Sequence, residues 1–394
     1  MNIKQIYDEA LAHGSYVVAS GGKVALVDPG RDPQPYIDFA KANDGEIVAV
    51  FETHPHADFT SSHIEFQQAF GAKIYVNPKV GVSYDFEPME HNDEVQIGDV
   101  TFKALFTPGH SPDHNSYLLL DENGKEQAVF TGDSLFVGDV GRPDLREGTG
   151  NMQVSKKELA GMMYDTLQSV FSKLEDGVTV YPAHGPGSLC GKNMSPDLTS
   201  TIGKEKKENW AFQIKEKDKF IESFLEGQSF IPKYFPYDVE LNRKGVSPLL
   251  SSLKNIPFFE GNVPTEGDGT IIIDIRDEAQ FKSGHLPEAI NIQLGSESSK
   301  FETWLGSIVA PEEQFYLVGE NKKQLNAAIM RVAKIGYENQ LKGAIYNLDR
   351  EKLEQDETLD LDNFKNNPEK FTIVDIRNKT ELADGKIFDH AINI

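Results

Sequence analysis

Apolar and polar positions change their period repeatedly along the first 190 or so residues. Residues 15–29, SYVVASGGKVALVDP, are two β-branched runs around Gly21-Gly22, which predicts a hairpin. PQPYIDFAKAND (33–44) carries apolar residues at helical spacing and stops at a glycine. GEIVAVFETH (45–54) is the continuous apolar run of a buried strand, and it ends in a histidine loop. HIEFQQAF (63–70) predicts a helix and AKIYVN (72–77) a strand. DVTFKALFT (99–107) and NSYLLL (115–120) predict strands on either side of PGHSPDH (108–114). QAVFTGD (127–133) reads as a strand closing on an aspartate, and TVYPAHG (179–185) as a strand closing on a histidine. Between them VSKKELAGMMYDTLQSVFSKL (154–174) reads as a long amphipathic helix. Strands and helices mix, so the class is α/β. Every polar candidate stands where a strand ends, which is where such scaffolds place their sites.

The texture changes after residue 200. TIGKEKKENWAFQIKEKDKFIESFLEG (201–227) is charged and helical, and KYFPYDVELNRKG (233–245) reads as a proline-punctuated connector. A second α/β unit follows, and it contains a repeat. TIIIDIRDEAQFKSGHLPEAINI (270–292) is echoed by FTIVDIRNKTELADGKIFDHAINI (371–394), each with a β-branched run, Asp-Ile-Arg, a glycine and Ala-Ile-Asn-Ile. A repeat at this long spacing signals tandem domains, not a solenoid. The expected domains are 1–248, 249–348 and the start of a third at 349–394.

Composition narrows the function. The chain has 394 residues, with 62 acidic against 39 basic side chains and a formal charge of -23. Such a field repels phosphate backbones, so no nucleic-acid partner is expected. The first residues, MNIKQIYDEALAHGSYVV, lack the pattern of a signal peptide. No stretch approaches the ~18 apolar residues of a membrane span. Cys190 is the only cysteine, so no disulfide forms within the chain and a cytoplasmic location is the simplest expectation. A homo-oligomer remains compatible with all of this.

Six residues collect at the strand ends: His54, His56, Asp58, His110, Asp133 and His184. Imidazoles suit zinc, iron and copper, and an added carboxylate favours harder ions such as Fe(II). One histidine alone is usually a satisfied polar group, but six such residues together predict a metal site. THPHAD (53–58), TPGH (107–110), TGD (131–133) and PAHG (182–185) resemble the metallo-β-lactamase superfamily, whose usual motif T-H-x-H-x-D-H serves two zinc ions in many members. The last histidine of that motif is Phe59 here. A benzyl group cannot coordinate, so one half of a dinuclear site loses a ligand. GDVGRPDL (138–145), PAHGPGSLCGK (182–192) and TIGKEKKEN (201–209) resemble the mononuclear branch, the persulfide dioxygenases. That resemblance implies an αββα sandwich and one Fe(II) per chain, held by a triad of His54, His110 and Asp133. His56, Asp58 and His184 are then expected around the triad, bonded to water or substrate. Arg142 is expected either to clamp a carboxylate of the thiol carrier or to pair with Asp144 or Asp139. His114 is expected to be structural, and Cys190 to pack near the site.

DIRDEAQFKSGHLPEAINI (274–292) resembles the opening of a rhodanese domain. In QFYLVGENKKQLNAAIMRVAKIGYE (314–338), Gly319 stands where an active rhodanese has its cysteine. Without a thiolate there is no nucleophile, so this copy is expected to be inert. The motif order is similar to a persulfide dioxygenase fused to an inactive and then an active rhodanese domain, whose cysteine would fall beyond Ile394. The expected activity is oxidation of a low-molecular-weight thiol persulfide by O2 to sulfite and free thiol, in sulfide detoxification. The alternatives are a zinc thioester hydrolase resembling glyoxalase II, and a catalytically silent sulfur-carrier adaptor.

Overall fold

A computed structural model describes residues 1–145, 154–228, 230–264, 269–355, 359–377, 382, 385 and 387–393. Two six-stranded sheets carry the first unit. The first sheet runs in chain order through β1 (Asn2–Asp8), β2 (His13–Ser20), β3 (Lys23–Val27), β4 (Glu46–Phe51), β5 (Lys73–Val76) and β6 (Glu87–Pro88). The second contains β7 (Glu94–Ile97), β8 (Val100–Phe106), β9 (Asn115–Leu120), β10 (Glu126–Gly132), β11 (Thr179–Pro182) and β12 (Ser200–Thr201), and only the β10–β11 pair is parallel. Period-2 burial explains the packing. Tyr16, Val18, Ala25, Val27 and Phe51 of one sheet meet Phe102, Ala104, Tyr117, Leu119 and Phe130 of the other.

Each outer face is covered by helices. Val17, Val24, Leu26 and Val50 pack under α1 (Gln34–Ala42) and α2 (His63–Phe70), through Tyr36, Phe39 and Phe66. Val129 and Val180 pack under α3 (Lys156–Ser169), α5 (Trp210–Gln213) and α6 (Lys217–Leu225), joined by Ile202 of α4 (Ile202–Glu208). The result is the expected αββα sandwich. A capping box of Ser155 and Glu158 starts α3.

Several elements differ from the sequence reading, which did not predict the short strands β6, β7 and β12. β1 pairs along β2 as an edge strand that the pattern did not predict. The stretch 233–245 is no connector: it holds α7 (Phe235–Lys244), which buries Phe235, Asp238, Val239 and Asn242. Pro236 sits in the first turn, where its missing N–H would have had no intrahelical partner, so the proline begins this helix and does not break it.

After the short α8 (Leu249–Leu253), a five-stranded parallel sheet orders its strands β13 (Phe258–Glu260), β17 (Leu341–Tyr346), β16 (Phe315–Val318), β14 (Ile271–Asp274), β15 (Ile290–Asn291). Its helices are α9 (Glu278–Ser283), α10 (Phe301–Ile308) and α11 (Lys322–Lys334), with α12 (Leu361–Asn366) further on. The repeat is visible atom by atom. Arg276 forks onto Asp274 and reaches Gly284 O, and Asn291 Nδ2 donates to the carbonyls of Asp274 and Arg276. Arg377, Asp375, Gly385 and Asn393 repeat every one of these bonds beside the parallel pair β18 (Val374–Asp375) and β19 (Ile392–Asn393). Residues 378–381, 383, 384, 386 and 394 of this second copy lie outside the described residues. Among the described residues no helix is long and apolar enough to cross a membrane.

Candidate metal centre

Four strand ends converge between the two sheets. β4 leads into Thr53–Asp58, the β8–β9 connection carries His110, Asp133 follows β10, and His184 follows β11. The edges of the sheets are stitched directly under these residues. Gly14 N donates to Ala183 O at 2.7 Å and Gly185 N to Ala12 O at 2.9 Å.

The six residues singled out in the sequence come together, all buried. Ligand atoms of His54, His110 and Asp133 lie within 4.8 Å of one another. So do those of His56, Asp133 and His184, and those of Asp58, His184 and Cys190. His54 Nε2 is 3.8 Å and His110 Nε2 is 3.5 Å from Asp133 Oδ2. These distances are too long for hydrogen bonds. Two ligands about 2.1 Å from one cation stand about 3.4 Å apart at a tetrahedral angle. Among the described residues buried Asp133 Oδ2 has no hydrogen-bond partner, so this carboxylate oxygen faces two imidazole nitrogens across a gap of cation size. The residues present therefore fit a metal ion.

Neighbours fix the orientation of the set. Thr53 is anchored to Asp28 through both N and Oγ1, and its Oγ1 lies 3.0 Å from His54 Nδ1. That leaves Nε2 as the nitrogen facing Asp133. His114 Nε2 accepts from the N–H of Asp133 at 3.1 Å, and its Nδ1 is 2.9 Å from Thr107 Oγ1. His114 is thus a structural residue that aims Asp133. His184 bridges two carboxylates, with Nδ1 2.7 Å from Asp133 Oδ1 and Nε2 2.8 Å from Asp58 Oδ2. The second contact is close but poorly aligned for a hydrogen bond. Burial would lower the pKa of His184, but Asp133 and Asp58 outweigh it and hold it well above the usual histidine range. Burial would likewise raise that of Asp133, and His184, His110 and His56 hold it far below the carboxylate range instead. His56 sits 3.4 Å from Asp28, which lifts its pKa against the effect of burial.

Phe59 is 1% exposed, and its ring centre lies 3.8 Å from that of His13 and 4.5 Å from that of His56. It fills the space beside the ligands with apolar contact. His13 escaped the sequence reading. It opens β2 and forms a non-local bridge with His184, so nothing in its neighbourhood along the chain announces it. Burial holds it well below the usual histidine pKa. Arg142 is 2% exposed and forks onto Asp144 at 2.7 and 2.6 Å. Of the two roles expected for it, the geometry shows the loop-fixing pair with Asp144. Cys190 packs in the core beside Asp58 and His184, and burial, with Asp133 and Asp58, pushes its thiol well up.

The Asn242 side chain of α7 holds the histidine loop. It donates to His56 O and Phe59 O and accepts from Ser61 N, at 2.8, 2.7 and 2.8 Å. The second unit reaches the same loop, since Lys334 O at the end of α11 accepts from Thr60 N at 2.8 Å.

The metallo-beta-lactamase superfamily model matches residues 10–184, and that of the rhodanese-like domain matches residues 263–350. The cytoplasmic hydroxyacylglutathione hydrolase of Arabidopsis thaliana is 31% identical over 211 residues, covering 52% of this chain and 76% of that protein. The hydroxyacylglutathione hydrolase of Dictyostelium discoideum is also 31% identical, over 51% of this chain and 72% of its own. A metallo-beta-lactamase crystal structure from Staphylococcus aureus subsp. aureus COL superposes with a TM-score of 0.76 at 29% identity, covering 88% of this chain and 98% of that one. ETHE1 from Myxococcus xanthus does so with a TM-score of 0.53 at 28% identity, over 62% and 98%. The chain belongs to the metallo-beta-lactamase superfamily and carries a rhodanese-like domain after it.

Proposed function

We propose that the chain is a non-haem Fe(II) persulfide dioxygenase with one iron per chain. A persulfide R–S–SH, O2 and water become R–SH and sulfurous acid, which ionises to sulfite. The S–S bond breaks, and the terminal sulfur gives up the four electrons that O2 takes. The observation that carries the reading is Phe59, buried against His13 and His56 where the superfamily's motif has another ligand. It leaves one complete triad of two imidazoles and a carboxylate, His54, His110 and Asp133.

In such a triad Fe(II) supplies open coordination positions and the redox capacity for O2. The chain supplies geometry. Thr53 and His114 hold His54 and Asp133 in register. Phe59 and Phe136, in one apolar cluster with Leu11 and Ala57, set their rings beside His56 and His184. The first rhodanese-like copy is read as inert, because Gly319 offers no nucleophile.

The relatives named hydroxyacylglutathione hydrolase favour a second reading, hydrolysis of a glutathione thioester, in which a zinc ion held by the same residues would activate water. Metal analysis and an oxygen electrode separate the two. Anaerobically iron-loaded protein with glutathione persulfide should consume O2 and release sulfite, with one iron per chain. Two tightly bound zinc ions and thioester hydrolysis without O2 uptake would establish the hydrolase.

A further inference from the structure

The triad of His54, His110 and Asp133 does not use Asp58 or His184, and with Cys190 these two form a group of their own. All three are buried, and one ligand atom from each lies within 4.8 Å of the others. Among the described residues Asp58 Oδ1 has no hydrogen-bond partner. His184 Nε2 has no well-aligned one either, although Asp58 Oδ2 stands 2.8 Å away. An unpartnered carboxylate oxygen beside an imidazole nitrogen is costly in a buried place, and a cation between them satisfies both.

The backbone fixes Cys190 next to this pair. Its N–H donates to Ser188 Oγ at 3.1 Å, and its carbonyl accepts from Arg142 N at 2.8 Å. Packing accounts for the burial of the thiol but not for its place beside two unsatisfied polar atoms. Charge and softness then say which ion suits the group. A thiolate, a carboxylate and a neutral imidazole carry two negative charges, which a divalent cation cancels. The entering ion displaces the thiol proton and the proton on His184 Nε2, and both leave to solvent. Sulfur favours zinc and similar thiophilic ions, whereas the triad of nitrogen and oxygen ligands suits Fe(II). Phe59 thus withdraws an imidazole from this half of the centre, and Cys190 returns a ligand of another kind.

We propose that Asp58, His184 and Cys190 form a second cation site, selective for a thiophilic divalent ion such as zinc, beside the triad. The two sites meet through one hydrogen bond, since His184 Nδ1 is 2.7 Å from Asp133 Oδ1. The inference goes beyond the persulfide reading and holds whichever ion fills the triad.

The test uses the full chain, loaded anaerobically with one equivalent of iron and then titrated with zinc or with cobalt(II). Cobalt reports on its ligands: bound to a thiolate it gives a sulfur-to-metal charge-transfer band in the near ultraviolet, which nitrogen and oxygen ligands do not. Wild type should take up one further equivalent of zinc with its iron retained, and cobalt in place of zinc should show the band. Cys190→Ser should lose the band and bind the second ion at least about a hundredfold more weakly, beyond the cost of losing an outer-shell contact. Asp58→Asn, which leaves the thiol in place, should weaken uptake and keep the band at saturating cobalt. If Cys190→Ser fails to fold, the wild-type band and Asp58→Asn decide. The proposal is overturned if wild type takes up no second ion, if cobalt binds without the band, or if Cys190→Ser takes up zinc as tightly as wild type. Zinc in the triad, with no persulfide-dependent O2 uptake, would sink the dioxygenase reading alone, and the cobalt–sulfur band would still mark Cys190 as a ligand.

Discussion

At the scale of single residues, Phe59 and Asp238 make the clearest demands. A histidine in place of Phe59 would set an imidazole next to His56, Asp58 and His184, so Phe59→His should take up additional zinc and oxidise persulfide more slowly. Unchanged metal content with normal O2 uptake would reduce Phe59 to a packing residue. Asp238 is fully buried on α7, and among the described residues neither carboxylate oxygen has a hydrogen-bond partner. Burial first, then Asp58 and Glu338, raise its pKa well above the carboxylate range. The folded chain thus favours the protonated form. Its stabilising share is complete below the unfolded carboxylate pKa and is lost as pH rises towards the raised folded value. Asp238→Asn, neutral at every pH, should flatten the decline of melting temperature with rising pH. A parallel decline in wild type and variant would remove Asp238 as its cause. The six candidate ligands were legible in the sequence because each follows a strand next to glycine, proline or another ligand. His13 and Asp238 were not, since what makes them special is burial among neighbours that folding brings from far along the chain.

At the scale of elements, most strands and helices of the sandwich followed from periodicity, while α7, β1 and the short β6, β7 and β12 did not. Proline obscured the first, and an irregular burial pattern the second. The cost of missing α7 is functional, because Asn242 is the clamp on the histidine loop. Asn242→Ala removes three short hydrogen bonds and strands their buried partners. We expect a loss of about 2–4 kcal/mol in denaturant unfolding, with weaker iron retention. The junction of β16 and α11 supports a second expectation. Gly319 leads almost at once to the N-cap Asn321, and Glu320 N is tied to the Gln324 side chain. A Cβ on Gly319 would lie 2.9 Å from Leu325 carbons and 3.0 Å from Gln324 Oε1. Gly319→Cys should therefore lower stability without creating thiosulfate sulfurtransferase activity. Steady thiocyanate formation by this variant would show that the loop can present a persulfide after all.

At the scale of the whole molecule, repeat and charge pointed to separate domains, yet the two units share one apolar core. Ala57, Phe59, Phe136 and Cys190 of the metal unit cluster with Tyr234, Phe235 and Val239 of α7 and with Leu305, Phe315 and Val332 of the rhodanese-like unit. Polar ties cross the same boundary: Thr60 to Ala333 and Lys334, Arg31 to Glu338 at 2.9 Å, and Lys300 to Ala10. Arg31 and Glu338 are both almost completely buried, so removing one strands the other in a low dielectric. A cut at the boundary suggested by sequence therefore does more than release a passenger. Residues 1–248 produced alone would expose the apolar face of α7, leave Arg31 without its carboxylate, and free Thr60, the residue next to Phe59, from the end of α11. We expect that fragment to melt well below the full chain and to hold less than one iron. Metal analysis and thermal unfolding of the two proteins side by side decide it. Equal melting and full iron in the fragment would make the rhodanese-like unit a detachable module and leave the histidine loop to α7 alone. Lower iron in a fragment that still folds would show that contacts from the second unit, that of Thr60 with the end of α11 among them, help hold the loop that carries His54 and His56.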